Sequence, residues 1–295
     1  MSYKTLLCVF SGEREDLGTL EMAFALARRH GAALRILHLA RPPAMYTAVA
    51  DYGAAAMAAG VTLDLMDATT RELDEDARAF AAEFARGHGM ELLKADAGAP
   101  APLQAHIRTV IGEPDDCLPL HGRTVDLIVC GTGRPSAQRF AASLAALMRT
   151  GCPVLLMPAF EPTKMGVNAG MAHTITIGWD CSIEAMRAVR SALPLLEAAR
   201  TVHILCVREG AEIPGESSQA DLLVYLENHG ISADVIFPSR EFQSVGDVLV
   251  WQSARLGADL LVMGAYSRNH IAEMLTFGTS DHVQRNARIP VFMVH

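Results

Sequence analysis

The sequence has no apolar run of membrane-spanning length, no CxxC pair and no excess of positive charge. A membrane helix needs about 20 apolar residues in succession, and the Ala-rich stretch 48–60 is interrupted by Asp51. Lys and Arg number 25 against 33 Asp and Glu, which gives a formal net charge of −8. An acidic surface repels phosphate backbones. We therefore expect neither a membrane partner nor a nucleic-acid partner.

Cysteine and histidine show no spacing that is typical of a metal site. The six cysteines lie mostly within or beside apolar runs, which predicts reduced core residues in a cytoplasmic protein. They are Cys8, Cys117, Cys130, Cys152, Cys181 and Cys206. No Ser-His-Asp or Cys-His arrangement can be assigned from the sequence, so no catalytic residue and no metal ligand are predicted.

What the sequence does contain is an internal repeat. The segment 125–131 (VDLIVCG) is matched by 258–264 (ADLLVMG), and 152–157 (CPVLLM) is matched by 289–294 (IPVFMV). The opening segment 4–10 is matched by 173–179, and an amphipathic helix follows each of these two. Apolar strands that alternate with helices of 3.6 period predict a parallel sheet with helices on both faces.

The repeat predicts an α/β fold with two tandem domains, at 1–159 and 173–295, joined by a linker at 160–172. In the second copy we expect strands at 174–179, 202–207, 232–237, 259–263 and 290–294, and helices at 182–198, 217–229, 244–256 and 279–287. In the first we expect strands at 4–10, 33–39, 105–110, 125–130 and 153–157, with extra helix at 45–59 and 64–87. Pro194 predicts a kink or an early end in its helix.

Residues that could bind a ligand follow two strands of the second copy. Asp180 comes directly after the first strand, and the turn 264–268 follows the fourth, with Gly278, Thr279 and Ser280 opening the last helix. Ligands of open α/β sheets bind beyond the carboxyl ends of the strands, where small residues let backbone N–H groups approach an anion. Alternatively, Asp180 or Ser182 caps a helix and Gly264 serves only a tight turn.

In these segments and in the closing strand, the sequence resembles the universal stress proteins. The resemblance implies two five-stranded parallel sheets of strand order 3-2-1-4-5 with helices on both faces, an adenine nucleotide alpha hydrolase-like fold. It also implies a stress-response binding or signalling module whose second copy binds ATP or AMP, with magnesium only as the nucleotide's own counter-ion. The implied nucleotide-binding residues are Asp180, Val207, Met263, Gly264, Ser267, Arg268, Gly278, Thr279 and Ser280.

Two positions depart from the family motif of nucleotide-binding members, G-x-x-G-x9-G-[ST]. Ser267 stands at the second glycine and Phe277 at the third, unless a slip of one residue makes Gly278-Thr279 the final pair. The first copy departs further, because Ser11 replaces the aspartate and the loop after Gly131 is about four residues shorter. We therefore expect the first copy to bind no nucleotide in the family manner.

The resemblance further implies that the fifth strands of the copies pair as two subunits do, in an intramolecular pseudo-dimer, with a homodimer as a further possibility. Val154, Leu156, Val291 and Met293 would lie at that contact, and pairing would cover two apolar edge strands. Two alternatives stay open. One is an interaction module without nucleotide in which Phe277 fills the pocket, and the other is a weak ATPase, for which the sequence offers no general base.

Overall fold

The structure is a computed structural model, and its residues are described in eight ranges. These are 2–40, 61–93, 98–132, 137–159, 172–207, 216–239, 244–266 and 278–295, with the backbone alone for 61–74, 216 and 217. The predicted helix at 45–59 and most of the predicted linker at 160–172 lie outside these ranges. Within them, no helix combines the length and apolar character needed to cross a bilayer.

In its described residues, the first copy has six strands and four α-helices. In chain order these are β1 (Thr5–Phe10), α1 (Leu17–His30), β2 (Ala33–Ala40), α2 (Val61–His88), β3 (Glu91–Leu92), β4 (Gln104–Ile111), α3 (Pro114–Gly122), β5 (Leu127–Gly131), α4 (Ala137–Arg149) and β6 (Val154–Met157). A single 3-10 turn, Arg14–Asp16, precedes α1. The two-residue edge strand β3 was not predicted.

The described part of the second copy has five strands and four α-helices. They are β7 (Thr174–Gly178), α5 (Ile183–Leu196), β8 (Thr201–Leu205), α6 (Glu216–Asn228), β9 (Ala233–Ile236), α7 (Val245–Arg255), β10 (Leu260–Gly264), α8 (Thr279–Asn286) and β11 (Val291–Val294). Each lies within two residues of its predicted bounds at either end. Helix α5 passes through Pro194 and ends two residues later, at Leu196, which is the early end that a helical proline predicts.

All the strands belong to one sheet, in the order β3-β4-β2-β1-β5-β6-β11-β10-β7-β8-β9. Each copy therefore has the expected 3-2-1-4-5 order, and the first copy adds β3 at its edge. Neighbouring strands are parallel within each copy, whereas β6 and β11 are antiparallel, with Val154 opposite Met293 and Leu156 opposite Val291. Two sheets were expected, but this pairing makes them continuous and leaves neither fifth strand as an open edge.

Helices cover the continuous sheet on both faces. One apolar cluster lies under α1, α2, α5 and α6, and the other lies under α3, α4, α7 and α8. Both clusters run through the junction of the copies. Leu155 and Phe292 belong to the first cluster, and Leu156 and Met293 to the second. Alternate side chains of a strand point to opposite faces, so the two central strands contribute to both cores.

Candidate functional site

The carboxyl ends of β7, β8 and β10 lie at one edge of the second copy. The chain order reverses between β7 and β10, since β8 lies on one side of β7 and β10 on the other. This is the position at which doubly wound sheets bind ligands. The structure brings Asp180, Val207 and Gly264 to this edge.

Asp180 is exposed directly after β7, and its carboxylate is oriented by the backbone. Its Oδ1 accepts a hydrogen bond from the Ser182 N–H at 3.0 Å. The N-cap of α5 is Ser182, whose hydroxyl accepts from the Ala185 N–H at 3.0 Å. Of the two capping residues considered from the sequence, the structure selects Ser182. Asp180 therefore lies at the end of β7, and its side chain does not cap α5.

The sequence did not predict a contact between Trp179 and α6, which lies on one side of the end of β7. The indole Nε1–H of Trp179 donates to the Ser218 hydroxyl of α6 at 3.3 Å, and the Cys181 thiol contacts the same hydroxyl. Cys181 has a φ of 65° and is exposed, so it is not the core residue that the sequence predicted. The signal in the sequence is the tryptophan itself at the end of the strand, because a buried indole N–H usually has a hydrogen-bond acceptor.

Gly264 is required by close packing. A Cβ at this position would lie 2.6 Å from the backbone nitrogen of Ala185 and 2.8 Å from the carbonyl carbon of Glu184. The first turn of α5 therefore lies directly against the end of β10. Met263, beside it, is 5% exposed and paired within the sheet, so its side chain belongs to the core. A helix start this close to the strand end directs backbone N–H groups toward the edge.

The loop after β10 is tied to the start of α8. The Tyr266 N–H donates to Ser280 Oγ at 3.0 Å, and Tyr266 has a φ of 51°. Gly278 is the N-cap of α8 and supplies no side-chain cap, whereas Thr279 is half-buried. The first amides of α8 therefore have no side-chain oxygen of their own cap residue. Ser267, Arg268 and Phe277 lie outside the described residues.

Val207 lies just beyond β8 and is half-buried, with its side chain packed on the core beneath α7 and α8. Its position at the strand end leaves its backbone at the edge. The backbone contact that the resemblance implies for Val207 therefore stays a prediction.

A Ser, an Asp and a His lie together at the starts of α7 and α8. Asp247 Oδ2 accepts from the Ser244 hydroxyl at 2.6 Å, and Asp247 Oδ1 lies 2.8 Å from His282 Nε2. The Ser244 hydrogen bond, with His282 nearby, lowers the pKa of Asp247. The carboxylate stands between the other two groups, so the histidine does not contact the hydroxyl as a general base would. This cluster joins two helices and forms no activated nucleophile.

The matching edge of the first copy is closed by a buried ion pair. Arg139 Nε lies 2.8 Å from Asp16 Oδ1, with side chains 1% and 3% exposed. Asp16 Oδ2 also accepts from the Ser11 N–H at 3.0 Å. The cavity that remains between Ser11, Asp16, Gly131 and Arg139 is about 10 Å³, roughly the space of a single water.

His38 fills a further part of this first-copy edge. It is 3% exposed, its Nδ1 lies 3.2 Å from the Thr109 hydroxyl, and its ring lies 5.8 Å from that of Phe10. It therefore packs inside the fold, as its apolar setting in the sequence predicts. The sequence signal for Arg139 is that it lies on the apolar stripe of α4 with Ala142 and Ala146, at helical spacing.

A buried polar network links the two copies near both edges. Gln284 Oε1 accepts from the Ser143 hydroxyl at 3.0 Å, and Gln284 Nε2 donates to the Tyr266 hydroxyl at 2.8 Å. The Gln284 carbonyl also accepts from the Thr132 hydroxyl at 3.3 Å. Gln284 is 1% exposed and Ser143 is fully buried. The loop after β10 in one copy is thus held by α4 of the other.

The architecture defines a class of protein: a duplicated, doubly wound α/β domain with a candidate ligand edge in its second copy. The universal stress protein family model matches residues 2–158 and again 171–295. The chain therefore belongs to the universal stress protein family, with two tandem copies of its domain. No curated protein matches it.

Solved structures with TM-scores above 0.5 show the same fold. A universal stress protein from Archaeoglobus fulgidus DSM 4304 is 17% identical with a TM-score of 0.69, covering 98% of this chain and 97% of that one. A functionally unknown protein from Pseudomonas aeruginosa PAO1 is 13% identical with a TM-score of 0.52, covering 99% and 92%. A universal stress protein solved in complex with cAMP is 24% identical, with a TM-score of 0.34, and covers 42% of this chain and 96% of its own.

Proposed function

We propose that this tandem universal stress protein is a cytoplasmic stress-response binding or signalling module whose second copy binds an adenine nucleotide. The observation that carries the proposal is the contrast between its two edges. In the second copy, the exposed Asp180 shares an edge with the start of α8, whose Gly278 has open space around its Cα among the described residues. In the first copy, Arg139 and Asp16 occupy that position.

Each proposed residue takes the role that the resemblance to the family implies for it. Asp180 would accept hydrogen bonds from ribose hydroxyls, and the Val207 backbone would meet the base. The uncapped amides of α8, with the Thr279 hydroxyl, would receive phosphate, because a helix N-terminus favours anions. The turn 263–268 and Ser280 would complete the cradle. Magnesium would enter only with the nucleotide.

The chain's organisation is part of the same proposal. We take 1–159 and 173–295 as the two domains and 160–172 as the linker. The antiparallel pairing of β6 with β11 supports a pseudo-dimer within one chain. Free cysteines, five of which are buried, are typical of a reducing compartment such as the cytoplasm.

Isothermal titration of ATP, ADP, AMP and cAMP tests the proposal, first with the native protein and then with Asp180→Ala. We expect saturable binding that weakens roughly ten-fold when the carboxylate is lost. Asp221→Ala is the matched control, because Asp221 is exposed on α6 of the same copy. Absence of heat at millimolar nucleotide would contradict the proposal and favour a nucleotide-free interaction module.

A further inference from the structure

A second cavity lies on the sheet face of the first copy, away from the edge that Arg139 and Asp16 close. Its volume is about 310 Å³, against about 10 Å³ at the closed edge. Four basic side chains line it: Arg35, His106, Arg108 and His121. The other lining residues are apolar or glycine, and none of the lining residues is acidic.

Strand alternation brings three of these groups to one face. In β4, Ala105 and Ile107 point into the core beneath α1 and α2, so His106 and Arg108 point to the opposite face. Arg35 of β2 lies directly beside His106 in the parallel register. His121, from the last turn of α3, completes the cluster.

The short helix α3 leaves this part of the sheet open. It has nine residues, contains Pro119, and buries Cys117 and Leu118 in the cluster shared with β1 and β5. On this face Leu37 and Leu39 of β2 are buried, whereas Arg35 and His106 are half-buried and Arg108 is exposed. The segment 98–100 borders the opening.

Among the described residues, the basic cluster has little compensation from acidic groups. Arg35 Nη1 donates to the Thr124 hydroxyl at 3.1 Å, which is a neutral acceptor. The Nε2 atom of His106 is shielded from solvent and has no hydrogen-bond partner. Burial, with Arg108 and Arg35 nearby, lowers the pKa of His121. Arg35 and Arg108 carry like charges on neighbouring strands, which disfavours the sheet, and a bound anion would compensate them.

The second copy has an acid at the corresponding position, although it lies too far from the histidine for a hydrogen bond. The register that places Arg35 beside Leu7 places His203 beside Thr176, at the corresponding step of the repeat. The neighbour of His203 in the next strand is Asp234, whose carboxylate lies 3.8 Å from the imidazole. An acid therefore faces a base in the second copy, where two bases meet in the first.

We propose that the cavity lined by Arg35, His106, Arg108 and His121 is a binding site for a small phosphate-bearing anion. Guanidinium groups bind phosphate oxygens through paired, charge-assisted hydrogen bonds. A volume of about 310 Å³ admits more than one phosphoryl group. The site is separate from the nucleotide edge of the second copy, so its function does not depend on that proposal.

Titration with inorganic pyrophosphate, followed by calorimetry, tests the site. We expect saturable binding that weakens roughly ten-fold in Arg108→Gln and in Arg35→Gln. Arg190→Gln is the matched control, because Arg190 is exposed on α5 of the other copy, and it should bind as the native protein does. Thermal melting confirms that each variant is folded. Arg108 is exposed, so its variant keeps the test available if Arg35→Gln does not fold.

Two further measurements separate this site from the nucleotide edge and identify the source of phosphate. Asp180→Ala should leave pyrophosphate binding unchanged. In that variant, competition by ATP would indicate that nucleotide phosphates occupy the cavity, whereas competition by inorganic phosphate alone would indicate a free anion. No saturable binding of pyrophosphate, or equal binding by Arg108→Gln and the native protein, would overturn the proposal.

Discussion

Arg139 Nε lies 2.8 Å from Asp16 Oδ1, and both side chains are almost completely buried. Replacing Arg139 with methionine would leave the carboxylate buried without its counter-ion. Breaking one partner of a buried pair typically costs about 3–5 kcal/mol. We expect Arg139→Met to lower the free energy of unfolding by about that amount, measured by urea denaturation.

The same helix offers the control. Arg149 of α4 lies 3.7 Å from Asp115, but these side chains are 58% and 63% exposed. Exposed pairs contribute about 0–1 kcal/mol, so Arg149→Met should be nearly neutral. The double variant Asp16→Asn/Arg139→Met should recover part of the loss, because the uncompensated charge is gone. Equal losses in Arg139→Met and Arg149→Met would contradict the buried ion pair.

Gly264 and Gly278 are predicted to lose different amounts of stability on substitution by alanine, although both were assigned to the nucleotide motif. At Gly264 the new Cβ would lie 2.6 Å from a backbone nitrogen, whereas at Gly278 no described atom lies within 4 Å. We expect Gly264→Ala to cost at least about 1–3 kcal/mol, as overpacking does. Gly278→Ala should cost less than about 1 kcal/mol. Denaturant midpoints of the two variants check this, and a neutral Gly264→Ala would disprove the close packing.

The contrast between these glycines shows how far the sequence predicts the site. The strand order 3-2-1-4-5 is implied by the resemblance to the universal stress proteins, whereas the repeated strand at 125–131 and 258–264 predicts a parallel sheet in each copy. It also predicts that a glycine is needed at position 264, but not which neighbouring residue leaves no space for a side chain there. That neighbour, Ala185, is distant in sequence, and local periodicity does not identify such contacts.

The same limit explains the residues that were missed. A buried Arg139 is visible as a charge on an apolar helix stripe, yet its partner Asp16 precedes it by more than a hundred residues. The hydrogen bond between Ser143 and Gln284 depends on how β6 pairs with β11. Such contacts follow from tertiary geometry. Helix caps and glycine turns follow instead from local chemistry. Gly230 and Gly257, for example, have φ values of 74° and 65°, as expected of glycines at helix ends.

Gln284 should couple the copies energetically. Truncation to alanine would remove one of the two acceptors of the Ser143 hydroxyl, which also donates to the Phe140 carbonyl, and would leave the Tyr266 hydroxyl without its donor, at a typical cost of about 1–3 kcal/mol. A double-mutant cycle with Ser143→Ala should give a coupling of about 0.5–1.5 kcal/mol. Additive effects of the two substitutions would show that the hydrogen bond across the junction contributes nothing.

Tyr266 predicts a loss of stability in alkali. Burial, with Asp281 nearby, raises the pKa of Tyr266 to about 12, against 10.0 for a free phenol. Because the folded protein keeps this proton longer than the unfolded chain, the contribution is complete below pH 10 and is lost as pH rises toward 12. Ultraviolet absorbance of tyrosinate should show Tyr266 ionising late, and Tyr266→Phe should remove that late phase and flatten the decline in stability. An unchanged absorbance titration in Tyr266→Phe would contradict this assignment.

Cys181 should be the one rapidly reacting thiol of the native protein. It is exposed, whereas the other five cysteines are buried. Burial raises the pKa of each of those five, which are Cys8, Cys117, Cys130, Cys152 and Cys206. Since the thiolate is the reactive form, an aromatic disulfide reagent should release one fast equivalent from the native chain and all six after denaturation. Cys181→Ser should abolish the fast phase, with Cys117→Ser as the control that retains it.

Because Cys181 contacts Ser218 beside Asp180, saturating ATP should slow its reaction if nucleotide occupies this edge. A fast phase that persists in Cys181→Ser would show that one of the five buried thiols is accessible in solution.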